Sequence, residues 1–161
     1  MTERLTKLSR SVDGSTVIVT GAASGMGRAT AHLFADDGAK VALIDIDESG
    51  LNRVADEIRT VSDNVLCLVV DLSDRLSVER AVSHVIEHYG GLDILVNNAG
   101  FATPAAIDSD VFERVWSRSL DVMATAQAWA IRAALPGLRQ SDHPRVVNIA
   151  STEAYGATRL N

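Results

Sequence analysis

The chain has 161 residues, 47% hydrophobic and 22% charged, which is enough to bury the core of one domain. A formal charge of -6 and a pI near 5.1 leave no basic surface for nucleic acid or anionic lipid. Arg4, Lys7 and Arg10 are followed by no continuous apolar segment, no run is long enough to span a bilayer, and the lone Cys67 cannot form an internal disulfide. These features fit a reducing, cytoplasmic compartment without a secretory signal or membrane anchor.

Residues 1–13 read as an N-terminal extension. After it, short apolar strands alternate with helical periodicity. Strands are expected at Thr16–Thr20, Lys40–Asp45, 65–71, 93–97 and 145–150, each nearly all apolar, as in a parallel sheet covered on both faces. Between them run helical stripes: Ala29, Leu33 and Phe34; Leu51, Val54, Ala55 and Ile58; then Val78, Val82, Val85, Ile86 and Tyr89. A fourth helix over 109–135 carries Val111, Phe112, Val115, Val122, Met123, Ala126 and Ala130. It is longer than one sheet face needs, so part of it is expected to pack on a partner subunit in a homo-oligomer. Cys67 lies inside the third apolar run and reads as a core thiol. With right-handed crossovers the layout is α/β: a Rossmann-like, doubly wound parallel sheet of order 3-2-1-4-5. Its ligand belongs at the switch between strands one and four.

The segment Thr20-Gly21-Ala22-Ala23-Ser24-Gly25-Met26-Gly27 joins the first strand to the first helix. Gly21 permits the tight turn, Gly25 lets the backbone approach a pyrophosphate, and Gly27 lets the helix lie close on the sheet. The helix start then offers free N–H groups and partial positive charge to phosphates. Asp45 ends the second strand, twenty-four residues after Gly21, where a carboxylate accepts from ribose hydroxyls and repels a 2′-phosphate. Ser24 stands where a phosphate-binding cation would precede Gly25, which also favours NAD over NADP. The plainer role for Asp45 is capping the next helix, which Asp47 can fill instead. Ser24, Met26 and Ile46 complete this part of the expected cofactor surface.

Further motifs follow in order. Asp71-Leu72 ends the third strand, Asn97-Asn98-Ala99-Gly100 follows the fourth, and Val146-Val147-Asn148-Ile149-Ala150-Ser151 forms the fifth and its exit. Together with the TGxxxGxG turn, these resemble the short-chain dehydrogenases/reductases. The resemblance implies that Asp71 and Leu72 border the adenine, and that Asn98, Ala99 and Gly100 wall the cofactor's ribose. Asn97 would tie neighbouring strands through its amide. It also implies hydride transfer between a nicotinamide and an alcohol or carbonyl substrate. In such enzymes a tyrosine in a YxxxK motif handles the proton, its pKa lowered by the lysine and the nicotinamide. Ser151 would orient the substrate oxygen, while an asparagine of the long helix holds a water-mediated proton path.

This chain departs from that pattern twice. Ser151 is followed by ten residues, so the expected tyrosine and lysine are not reached. The chain alone is therefore expected to be inactive, and a non-catalytic nucleotide-binding or interaction module derived from the family is the other reading. Tyr155 lies only four residues after Ser151 and reads as lining the substrate entrance or packing locally. Ser119 takes the place of the family's asparagine. His84 and His88, spaced i, i+4, read as a solvated helix face and not as a metal site, since no third ligand converges. His143 falls in a polar surface loop, and Trp116 and Trp129 read as packing or interface residues.

Overall fold

Five strands, β1 (Thr16–Thr20), β2 (Lys40–Asp45), β3 (Val65–Val69), β4 (Ile94–Asn97) and β5 (Arg145–Asn148), pair in parallel in the order β3-β2-β1-β4-β5. The structure, a computed structural model, describes residues 11–152. Side chains alternate across the sheet. Val17, Val19, Val41, Leu43, Ile94 and Val96 face α1 (Gly25–Asp36) and α2 (Glu48–Arg59). Ile18, Ala42, Ile44 and Leu95 face α3 (Arg75–Tyr89) and α5 (Ala126–Leu138). Each central strand is therefore apolar at every position that a two-sided cover demands.

Local chemistry starts and stops the helices. The Asp47 carboxylate accepts from Gly50 N–H at 3.1 Å and caps α2, and Asp74 accepts from Leu76 N–H at 3.1 Å and caps α3. Gly90 ends α3 in the left-handed region at φ 80°. At the front of the sheet, Val12 packs against the core on the α1 and α2 side, and Gly14 N–H donates to Gly38 O at 3.0 Å. The expected extension thus joins the fold before residue 13.

Two expectations need correction. β3 stops at Val69 because the chain turns at Asp71, although Val70 N–H still reaches Asp45 O at 2.8 Å. The outer strands are less deeply buried than the central three, although Leu66 and Leu68 of β3 pack on one core cluster and Val65 and Cys67 on the other. Val69 is 54% exposed, and Val146 and Val147 of β5 are 41% and 42% exposed. Each of these strands has a single neighbour in the described sheet. The fourth helix is not one regular helix: α4 (Phe112–Leu120) passes through a π turn (Asp121–Thr125) into α5. Pro136 lies inside α5 near its end. No side chain of α4 is buried, and Phe112 stacks on the exposed Trp116 at 6.0 Å between ring centroids.

Tyr89 closes α3 with its hydroxyl buried and without a hydrogen-bond partner among the described residues. Burial, with the Cys67 thiol nearby, pushes its phenol up to about 12. Cys67 is half-buried, and that burial also raises its thiol pKa. Tyr89→Phe removes the orphan hydroxyl and is expected to stabilise the chain by about 1 kcal/mol. The folded phenol titrates above its unfolded value of about 10, so its contribution is intact below that pH and is lost as pH rises toward 12. Denaturant midpoints of wild type and variant should diverge further over that window. A variant that is less stable at neutral pH would refute this reading.

Candidate cofactor cleft

β1 and β4 lie side by side with carboxyl ends at Thr20 and Asn97, and the chain leaves them toward opposite halves of the sheet. That is the switch point at which open α/β sheets bind ligands. The buried Thr20 organises it. Its hydroxyl donates to Val96 O at 3.4 Å and accepts from Asn98 N–H at 2.9 Å and Ala99 N–H at 3.1 Å. The Asn98 amide donates to Thr20 O at 2.9 Å and Gly21 O at 3.4 Å. Asn98 thus fastens the two turns together. Asn97 Nδ2 donates to Asn148 Oδ1 at 2.8 Å, joining β4 to β5 as the resemblance implied.

The glycines differ in what they do. Gly21 sits at φ 67°, and a Cβ there would come 2.7 Å from Ala99 Cα. A Cβ on Gly27 would meet Gly21 O at 2.0 Å and Asn98 Nδ2 at 2.6 Å. What crowds Gly27 is the turn and Asn98, not the sheet. Gly25, at φ 52°, has nothing within 4 Å of a Cβ position, so its backbone faces open space. The start of α1 has no side-chain cap and no acidic residue in its first turn. Its N–H groups are left for an external acceptor, in contrast to α2 and α3. Ser24 and Met26 are exposed beside them.

Asp45 holds the opposite rim. Its Oδ2 accepts from Ala23 N–H at 3.0 Å, and its Oδ1 accepts from Ile46 N–H at 2.7 Å and Asp47 N–H at 3.1 Å. The helix cap is Asp47, so Asp45 is left to fix the glycine turn against β2. Arg53 reaches the same turn, its Nη2 donating to Ala23 O at 3.4 Å.

A cleft of about 160 Å3 opens between these rims, lined by Gly21, Asp45, Ile46, Asp71, Leu72, Ala99 and Gly100. Val70, Phe101, Arg118 and Val122 complete the lining and were not among the site residues expected from the sequence. Asp71 points its carboxylate at Ser73 and Arg118. Burial alone would raise its pKa, but the Ser73 N–H and Arg118 guanidinium hold it below the usual carboxylate range. An uncapped helix start, an open Gly25 backbone and a carboxylate rim together fit a dinucleotide.

The remaining site residues lie outside the cleft lining. Ser151 is exposed beyond the carboxyl end of β5. Ser119 donates its hydroxyl to Val115 O one turn back at 2.8 Å. The nearby Met123, in the π turn, is the side chain that would meet a Cβ on Gly100, at 3.6 Å. Tyr155 falls outside the described residues. His84 and His88 stack along α3 at 6.1 Å. Among the described residues no group of three His, Cys, Asp or Glu is placed to hold a metal ion, and no helix is long and apolar enough to cross a membrane.

Comparison with known proteins agrees with this geometry. The family model for short chain dehydrogenases matches residues 15–159. The chain is 35% identical over 147 residues to 17-beta-hydroxysteroid dehydrogenase 13 of Mus musculus, covering 91% of this chain and 48% of that protein. It is 36% identical over 138 residues to 2,5-dichloro-2,5-cyclohexadiene-1,4-diol dehydrogenase LinX of Sphingobium indicum, covering 86% and 55%. Among solved structures, L-sorbose reductase from Gluconobacter frateurii, complexed with NADPH and L-sorbose, superposes with a TM-score of 0.79. That match is at 28% identity and covers 86% of this chain and 53% of the other. The chain spans about half the length of the curated relatives it matches.

Proposed function

The chain belongs to the short-chain dehydrogenase family, and we propose that it forms the NAD-binding part of an oxidoreductase acting on a small alcohol or carbonyl substrate. The observation that carries this reading is the uncapped donor set at the start of α1 opposite the Asp45 carboxylate. When bound, the nicotinamide supplies the hydride carrier. The chain's own residues bind and orient. The α1 start and the Ser24–Gly25 backbone take the pyrophosphate. The remaining lone pair of Asp45 Oδ2 accepts from a ribose hydroxyl, and Asn98, Ala99 and Gly100 wall the far side. Near the substrate, the Ser151 hydroxyl hydrogen-bonds the reacting oxygen. Ser119, whose proton is already given to Val115, accepts from a water and does not donate to it.

Among the described residues, neither this serine pair nor any other group takes the place of the family's tyrosine and lysine in moving the substrate proton. The 161-residue chain alone is expected to bind cofactor without turnover. In this reading the protein acts in the cytoplasm, and the exposed face of α4 packs on a second copy.

Fluorescence titration with NADH and NADPH tests the proposal. A carboxylate at the ribose rim repels the 2′-phosphate, so NADH should bind at least about tenfold tighter. Equal affinities, or tighter NADPH, would overturn the NAD assignment. Assays of a longer form carrying a YxxxK motif against secondary alcohols and ketones would then test the chemistry. Binding without turnover across that panel would favour the non-catalytic module.

A further inference from the structure

Arg118 reaches the cleft from α4 and takes no part in the roles above. Its Nη2 lies 3.0 Å from Asp71 Oδ1, while its Nη1 donates to Asp71 Oδ2 at 3.2 Å and also to Ser73 Oγ. Asp71 Oδ1 further accepts the Ser73 N–H at 2.9 Å and the Ser73 hydroxyl at 2.8 Å. Oδ1 is saturated by these contacts, whereas Oδ2 keeps a lone pair. On the other partner, the guanidinium holds five N–H donors in one plane, and Asp71 and Ser73 do not use them all. The pair is only partly withdrawn from solvent, with side chains 39% and 42% exposed. Both residues line the cleft beside Gly21, Asp45 and Ile46. One wall of the cleft therefore presents a carboxylate acceptor next to coplanar N–H donors.

That pattern complements adenine, whose exocyclic amino group donates beside a ring nitrogen that accepts. A 6-oxo purine reverses both partners, placing a carbonyl acceptor opposite the carboxylate and, because its N1 carries a proton where that of adenine accepts, a donor opposite the guanidinium. We propose that Arg118 is a specificity-determining residue that, together with Asp71, reads the adenine base of the dinucleotide and rejects a 6-oxo base. The proposal rests on the NAD reading of this cleft and adds to it a partner for Asp71. Arg118 also straps α4 to the β3–α3 turn, so loss of affinity alone would not separate recognition from support. The ratio of two ligands does.

The test titrates the chain with NADH and with its hypoxanthine analogue, following nicotinamide fluorescence. Wild type should prefer NADH by about tenfold or more, a single charge-assisted hydrogen bond being of that order. Arg118→Met should cut that preference several-fold. Arg118→Lys keeps the charge without the planar fork and should cut it similarly, which preserves the test if the methionine variant fails to fold. Equal weakening of both ligands in these variants would reduce Arg118 to a strap and overturn the proposal. Wild type that binds neither dinucleotide would overturn this inference and the NAD reading together, whereas wild-type NADH binding with an unmoved ratio sinks the inference alone.

Discussion

Replacing Gly27 with alanine is expected to cost about 3 kcal/mol or more of stability and to abolish NADH binding. The added methyl would sit 2.0 Å from Gly21 O and 2.6 Å from Asn98 Nδ2. Neither can yield cheaply. The Gly21 carbonyl is backbone in a left-handed turn at φ 67°, and the Asn98 amide is committed to Thr20 O. Relief would require α1 to lift away from the turn, exposing the buried Ala31 and Ala35. Gly25→Ala provides the contrast. It has room for a methyl but keeps φ 52°, so its cost to the fold is about 1–2 kcal/mol of backbone strain. Its methyl would project into the open space proposed to take the phosphates, so binding should fall further than stability. Denaturant midpoints and NADH titrations on both variants measure the difference. A Gly27→Ala chain with an unshifted midpoint would show that the turn is not the rigid frame described.

The contrast between the two glycines also marks how far the sequence could be read. Strand order and the glycine turn were legible because β1, β2 and β4 are buried on both faces and so run apolar without a break. The same signal does not show how completely β3 and β5 are covered, since an apolar run reads identically whether or not a second helix layer lies over it. The π turn after α4 was illegible because apolar spacing does not resolve one extra residue per turn. Contacts distant in sequence were harder still. Nothing local links Asn98 to Thr20, separated by 78 positions, or Arg118 to Asp71, separated by 47. The NNAG turn was recognised as a wall of the site, but its asparagine side chain proves to be a fastener of the neighbouring turn. Motif reading located the residues, and only the tertiary structure divided them between holding the site and facing a ligand.

Asp45→Ala is expected to have the second large effect, because Asp45 holds the turn and, in the proposed reading, also accepts from the ribose. Its carboxylate accepts the N–H groups of Ala23, Ile46 and Asp47, and truncation strands all three. Partial solvent access to these groups keeps the cost near 2–3 kcal/mol, at the level of one or two charge-assisted bonds. Loss of the ribose acceptor should weaken NADH about 100-fold, of which the loosened turn accounts for a part shared with NADPH. The discriminating quantity is therefore the selectivity. With the carboxylate gone, the Arg53 guanidinium still reaches the turn, its Nη2 3.4 Å from Ala23 O. A 2′-phosphate entering there would meet a cation where it formerly met an anion, so NADPH should gain relative to NADH by well over tenfold. Asp45→Asn keeps an oxygen acceptor without the charge. It should preserve more of the turn's stability while giving up most of the selectivity. Calorimetric titration of both cofactors against the three proteins separates these outcomes. If Asp45→Ala weakens NADH and NADPH by the same factor, Asp45 supports the turn and reads nothing of the ribose.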